Sequence, residues 1–126
     1  MILAIVLGFV AASLSDWLFM GVLFHERYKT FPEVWRGTAN EALKILIAQI
    51  FSVLTVVGFV VLATNFGPFD LSSSLALAAL VWLIGPLPLL LANHLFIKLD
   101  PLVTTSHAAG WLVKLLLIGG ISALIL

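Results

Sequence analysis

The placement of charge constrains the fold of this chain more than any other feature. Every Lys and Arg lies in or beside alternate connections between four long apolar runs. The runs cover residues 2–24, 43–64, 72–97 and 107–126. Each approaches or exceeds the ~20 residues that a helix needs to cross ~30 Å of hydrocarbon. The expectation is an all-α, polytopic membrane protein: four transmembrane helices in an antiparallel bundle, forming a single domain over residues 1–126. Arg27, Lys29, Arg36 and Lys44 flank the first connection and Lys98 and Lys114 the third, while the second, from Asn65 to Asp70, carries no basic residue. By the positive-inside rule the first and third connections face the cytoplasm, and both termini are external.

Composition narrows the function classes. With 63% hydrophobic and 10% charged residues, nearly all of the ordered chain is expected in lipid or at its surface. A formal net charge of zero argues against a nucleic-acid partner, because phosphate backbones are bound through clustered Lys and Arg. The chain has no Cys, which excludes disulfides, thiolate metal sites and palmitoylation. No basic residue precedes Ile2, and the first run stays apolar past Asp16 to Phe24, so it is read as a retained helix rather than a cleaved signal. The expected partners are the lipid bilayer and either a second copy of the chain or another membrane protein.

Local signals mark the connections. Pro32 suits the first position of a helix, with Glu33 in its first turn and Gly37 as a stop, which predicts a short interfacial helix carrying Trp35 between helices 1 and 2. Thr38 and Glu41 have capping-box spacing ahead of the second run. The Asn65-Phe-Gly-Pro-Phe-Asp70 turn is short enough to make the second and third helices antiparallel neighbours, with Asp70 or Ser72 capping the third. Gly85, Pro86 and Pro88 interrupt the third run and predict a kink. Asp100 and Pro101 read as N-cap and first residue of the fourth helix.

Asp16 is the outstanding candidate for chemistry. An Asp near the centre of a span costs ~2.5–3.5 kcal/mol, and each Leu, Ile, Val or Phe around it returns ~0.3–0.6. The helix still inserts, and Asp16 becomes a site candidate. Lys114 is its natural partner, at a comparable depth in the fourth run. The functional reading is a buried pair that binds an ion or polar ligand or relays protons. The structural alternatives are an ion pair that fixes helix register, or a Lys that snorkels to the interface. Ala4, Gly8 and Ala12 recur every four residues and should face the bundle, as should Ala48, Ser52 and Thr55 in the second helix.

Trp17, Gln49, Asn93, His94, His107 and Trp111 complete a candidate polar pocket in the cytoplasmic half. For the aromatic residues, packing and interfacial anchoring are the alternative. His94 and His107 could join a carboxylate on a metal, but no motif with ligand spacing is present, so neither metal nor cofactor is expected. No nucleophile elbow, P-loop or dinucleotide fingerprint is present either.

Two segments carry a resemblance. Leu14-Ser-Asp-Trp-Leu-Phe-Met-Gly-Val-Leu-Phe24 runs into Arg27, Tyr28 and Trp35. Asn93-His-Leu-Phe96 is followed by Ala109-Gly-Trp-Leu-Val and Leu115-Leu-Leu-Ile-Gly-Gly. Together they resemble a bacterial family of small four-span integral membrane proteins defined only as a domain of unknown function. The resemblance implies the fold and a bacterial cytoplasmic membrane; it supplies no activity and no role for Asp16 or Lys114.

The leading functional expectation is a protein that binds or transports a small molecule or proton through that polar pocket. A structural or accessory subunit of a membrane complex is the alternative, and a membrane enzyme acting on a lipid-soluble substrate ranks behind both. The orientation is directly testable, because the absence of native Cys allows single-cysteine labelling at Thr38, Asn65 and Thr105. Asn65 should react with an impermeant reagent from outside, and Thr38 and Thr105 only from the cytoplasm. Labelling of Asn65 from the cytoplasm alone would overturn the orientation.

Overall fold

A computed structural model describes residues 1–37, 39–66 and 70–126. It is all-helical, with four stretches long and apolar enough to cross a membrane: Ile2–Leu23, Glu41–Asn65, Leu71–Phe96 and Pro101–Ile125. The first stretch is α1 (Ile2–Asp16) followed without a break by a π-helical segment (Trp17–Leu23). The second is α2 (Glu41–Asn65). The third is α3 (Leu71–Ile84) and α4 (Pro86–Phe96), broken at Gly85, and the fourth is α5 (Pro101–Ile125).

The caps explain several boundaries. Asp70 accepts the Ser73 amide at 2.7 Å and starts α3; Asp100 accepts the Leu102 amide at 2.8 Å and starts α5 ahead of Pro101. Asp100 also accepts the Thr30 hydroxyl at 2.9 Å, tying the first connection to the third. α2 starts at Glu41 behind Asn40, whose φ of 58° is a left-handed conformation that Asn tolerates better than most residues. Thr38 of the expected capping box and residues 67–69 of the expected turn lie outside the described residues. The expected short helix between the first two spans starts at Pro32 and is a 3-10 helix, Pro32–Val34, with Trp35 at its C-cap; a further 3-10 helix, His25–Lys29, precedes it.

At the third-span break, Pro86 and Pro88 lack the amides that would serve the carbonyls of Trp82 and Ile84 in a continuous helix. The chain restarts as α4 after Gly85, whose own amide still reaches Val81 O at 3.0 Å.

α5 is the central helix. It packs most extensively against α3 and α1 and also touches α4 and α2. The small-residue stripe of α1 does face inward, with Ala4, Gly8, Ala12 and Ser15 all buried. Gly119 shows why small residues occupy the seam: a Cβ there would stand 3.0 Å from Ser74 O and 3.3 Å from Ala78 Cβ. At that crossing the Ser74 hydroxyl donates to Gly119 O at 2.7 Å. The short second connection does not make α2 and α3 a closely packed pair. α2 leans on α1 and, less, on α5, and its first eight residues, Glu41 to Ala48, are all exposed. Lipid explains the divergence, since two apolar helix faces gain little over hydrocarbon by touching each other.

The seam predicts a contrast between adjacent glycines. Gly119→Ala should destabilise the protein in detergent by about 1–3 kcal/mol through overpacking against α3. Gly120→Ala, where a Cβ meets nothing within 4 Å, should be neutral or slightly stabilising. Indistinguishable melting temperatures for the two variants would contradict the packing described.

Candidate functional site

α1 and α5 run antiparallel, and two cross-helix bonds fix their register. The Ser15 hydroxyl donates to Gly110 O at 3.5 Å and the Ser106 hydroxyl to Phe19 O at 3.2 Å. The approach is close because position 110 lacks a side chain; a Cβ there would sit 3.3 Å from Phe19 Cβ. This register sets the Lys114 backbone opposite Ala11, five residues and ~7.5 Å from the level of Asp16. Helical side chains lean toward the N-terminus of their own helix, so in an antiparallel pair the two lean toward each other. The long Lys stem spans the offset, and Lys114 Nζ meets Asp16 Oδ1 at 2.7 Å.

Partners on α2 and α5 hold the pair in place. Asp16 Oδ2 accepts the Ser52 hydroxyl from α2 at 3.1 Å, so both carboxylate oxygens are engaged. Lys114 Nζ also lies 4.5 Å from the centre of the Trp111 ring, a cation–π contact. The side chains are 6% exposed for Lys114 and 15% for Asp16. Such an environment strengthens a charge-assisted bond and makes loss of either partner expensive.

Beside the pair lies a cavity of about 350 Å³ between α1 with its π segment, α2 and α5. Asp16, Ser52, Thr55, Ser106, His107 and Lys114 are its polar lining residues, and Phe19, Met20, Phe51 and Trp111 form much of its apolar wall. The π segment begins immediately after Asp16, and Phe19 O accepts both the Phe24 amide, at 3.2 Å, and the Ser106 hydroxyl. Single π turns recur at functional sites because they redirect side chains and free a carbonyl for another donor.

A second chain of contacts leads from the cavity to the loop end. His107 Nε2 and the Tyr28 hydroxyl are 3.2 Å apart, and Tyr28 is 3.3 Å from Ser106 Oγ. The Tyr28 ring also packs edge-on against His107 and, tilted, against Trp35. Burial raises the Tyr28 pKa above its ordinary value, with the bond to Ser106 opposing and the Asp16 charge adding to the rise. The phenol therefore stays neutral across the physiological range and keeps a proton to share.

Of the residues singled out in the sequence, Asp16, His107, Trp111 and Lys114 come together around the cavity. The other four lie elsewhere. Trp17 is 63% exposed on the outer surface of its helix. Gln49 accepts the Ser13 hydroxyl at 2.8 Å, on the same α1–α2 contact but outside the cavity wall. His94 Nδ1 sits 3.0 Å from Thr104 Oγ1, tying α4 to the start of α5, and Asn93 is half-buried beside it. His94 and His107 are thus held by different partners.

Sequence reasoning gave no site role to Ser106 or Tyr28. Ser52 was visible as part of the small polar stripe of α2, whereas nothing local marks a loop tyrosine that folds back onto α5. The family described as "Protein of unknown function (DUF1761)" matches residues 3–123. The chain belongs to the DUF1761 family. The match spans every element of the site, from Asp16 on α1 to Lys114 on α5. No curated protein and no solved structure matches this DUF1761 chain.

Proposed function

We propose that this protein lies in a bacterial cytoplasmic membrane, with both termini external, and binds or passes a small polar ligand or a proton through the Asp16–Lys114 pocket. The charge map supports the orientation: four basic residues flank the first connection, two flank the third and none flanks the second. One observation carries the functional reading. A buried charge pair, with Lys114 N–H groups left over after the contact to Asp16, borders a cleft of about 350 Å³. The space opens beside the pair between α1, α2 and α5, so a small molecule could reach both charged groups without displacing a packed side chain. Polar groups grouped at one side of a cavity are the usual means of orienting a bound molecule.

The contacts through His107 and Tyr28 support access from the basic, loop-bearing end, because they form an unbroken series of hydrogen-bonding groups from the cavity rim to the first connection. On this reading Asp16 and Lys114 hold the ligand or proton, His107 connects them to the loop side, and Trp111 bounds the site.

Infrared spectroscopy of the Asp16 carboxylate, assigned by difference from Asp16→Asn, provides the test in reconstituted bilayers. The band should respond to bulk pH and shift promptly on transfer to D2O, as expected of a pocket in contact with solvent. A band insensitive to both would contradict the proposal. It would favour instead a sealed core in an accessory subunit of a membrane complex.

A further inference from the structure

The polar cavity adjoins a larger apolar groove. Thr55 and Trp111 line both spaces. Beyond them about 720 Å³ opens between α2 and the broken third span, over a floor formed by Trp111 and Leu115 of α5. The groove exists because α2 diverges from α3 and because two local features hollow its walls. Gly58 on α2 has no side chain where a Cβ would meet nothing within 4 Å, and the Gly85–Pro86 break forms part of the opposite wall. The Thr55 hydroxyl is turned to its own helix, donating to Phe51 O at 3.1 Å, so the groove offers a chain little besides hydrocarbon contact.

We infer that the two spaces form one bipartite site for a single-chain lipid with a small, uncharged, oxygen-bearing head. The head lies beside Asp16 and Lys114 and the hydrocarbon chain lies in the groove. This rests on the ligand-binding reading above and names the class of ligand.

Depth selects the head. Asp16 lies seven residues before Leu23, the last residue of its apolar stretch, and so well inside that stretch. A phospholipid would have to draw its ionic head that far from water, and a neutral Asp16–Lys114 pair supplies no net charge to compensate it. An uncharged head with oxygen acceptors has no such obstacle. It can accept the N–H groups that Lys114 does not spend on Asp16, since an ammonium carries three donors. Trp111, with Lys114 against its ring, stands at the joint between head and chain. Protonated fatty acids, long-chain alcohols and isoprenoid quinones share this chemistry. Access is lateral, from the bilayer, through the gap between α2 and the third span.

The test uses the full chain in lipid nanodiscs with two photoreactive probes: a fatty acid carrying a mid-chain diazirine, and a phosphatidylcholine carrying the same chain. The fatty acid should cross-link Leu62 and Leu89 several-fold more than Val6 and Val10 on the outer face of α1, whereas the phosphatidylcholine should label both faces alike. Gly58→Phe should reduce groove labelling several-fold. Leu62→Trp provides a second obstruction if that variant fails to fold, and neither residue touches the polar cavity. Competition by decylubiquinone more than by palmitate would identify a quinone-like head, and the reverse a fatty acid. Equal labelling of groove and outer face by the fatty acid, or no effect of a folded groove-filling variant, would overturn the inference. If the Asp16 band still responds to pH and D2O in that case, the polar-pocket reading stands and only its lipid extension fails. A silent band with uniform labelling removes both.

Discussion

A lysine and an aspartate placed within hydrocarbon must satisfy each other, and in this protein that requirement joins the first span to the last. Each charge is costly alone in a helix of this apolarity. Their contact depends on three independent features: an antiparallel register, the lean of helical side chains toward their own N-termini, and a seam narrow enough to be bridged. The seam is narrow because Ser15 and Gly110 face each other across it and Phe19 packs where a side chain at position 110 would stand. Ser52 then brings α2 to the same carboxylate, so three helices converge on Asp16.

The other half of the architecture follows from using α5 as the common partner. α1 and α3 approach it through glycine and serine positions on opposite ends of the seam, Gly110 with α1 and Gly119 with α3. Trp82 adds an indole donor to Ala108 O at 2.8 Å, fixing the third span beside the same helix. Among the described residues, α2 makes no contact with the third span comparable to those of α1 and α3 with α5. In water an exposed gap of that kind would close or cost stability. In lipid it persists as a groove, and its continuity with the charge pair through Trp111 and Thr55 gives the groove a polar end.

Much of this was legible in the sequence because it follows from quantities that residues carry locally. Span length and hydropathy located the four helices, Pro86 located the break in the third, and Asp70 and Asp100 located two helix starts. The inward stripe of Ala4, Gly8 and Ala12 was readable from its period of four. The estimate that Asp16 and Lys114 share a layer was close, although the backbones are offset by more than a turn and the Lys stem makes up the difference. What escaped was set by tertiary choice. A short connection implies antiparallel neighbours, but packing against α5 outweighed adjacency for α2 and α3. Trp17 sits next to Asp16 in sequence, and adjacent helical residues point ~100° apart, which sends its ring outward while the carboxylate turns in. The π segment and the return of Tyr28 onto His107 have no periodic signature at all.

The claim on which this account rests is that Asp16 and Lys114 are a buried, mutually dependent pair. A double-mutant cycle in a defined detergent addresses it most directly, comparing Asp16→Asn, Lys114→Met and the double variant by thermal or denaturant unfolding. Each single substitution should cost about 3–5 kcal/mol, because it leaves the surviving polar group unpaired in a low-dielectric layer. The double variant should be less destabilised than at least one of the singles, giving a large favourable coupling. Simple additivity of the two losses would show that the residues do not depend on each other, and would contradict both the pair and the site built on it.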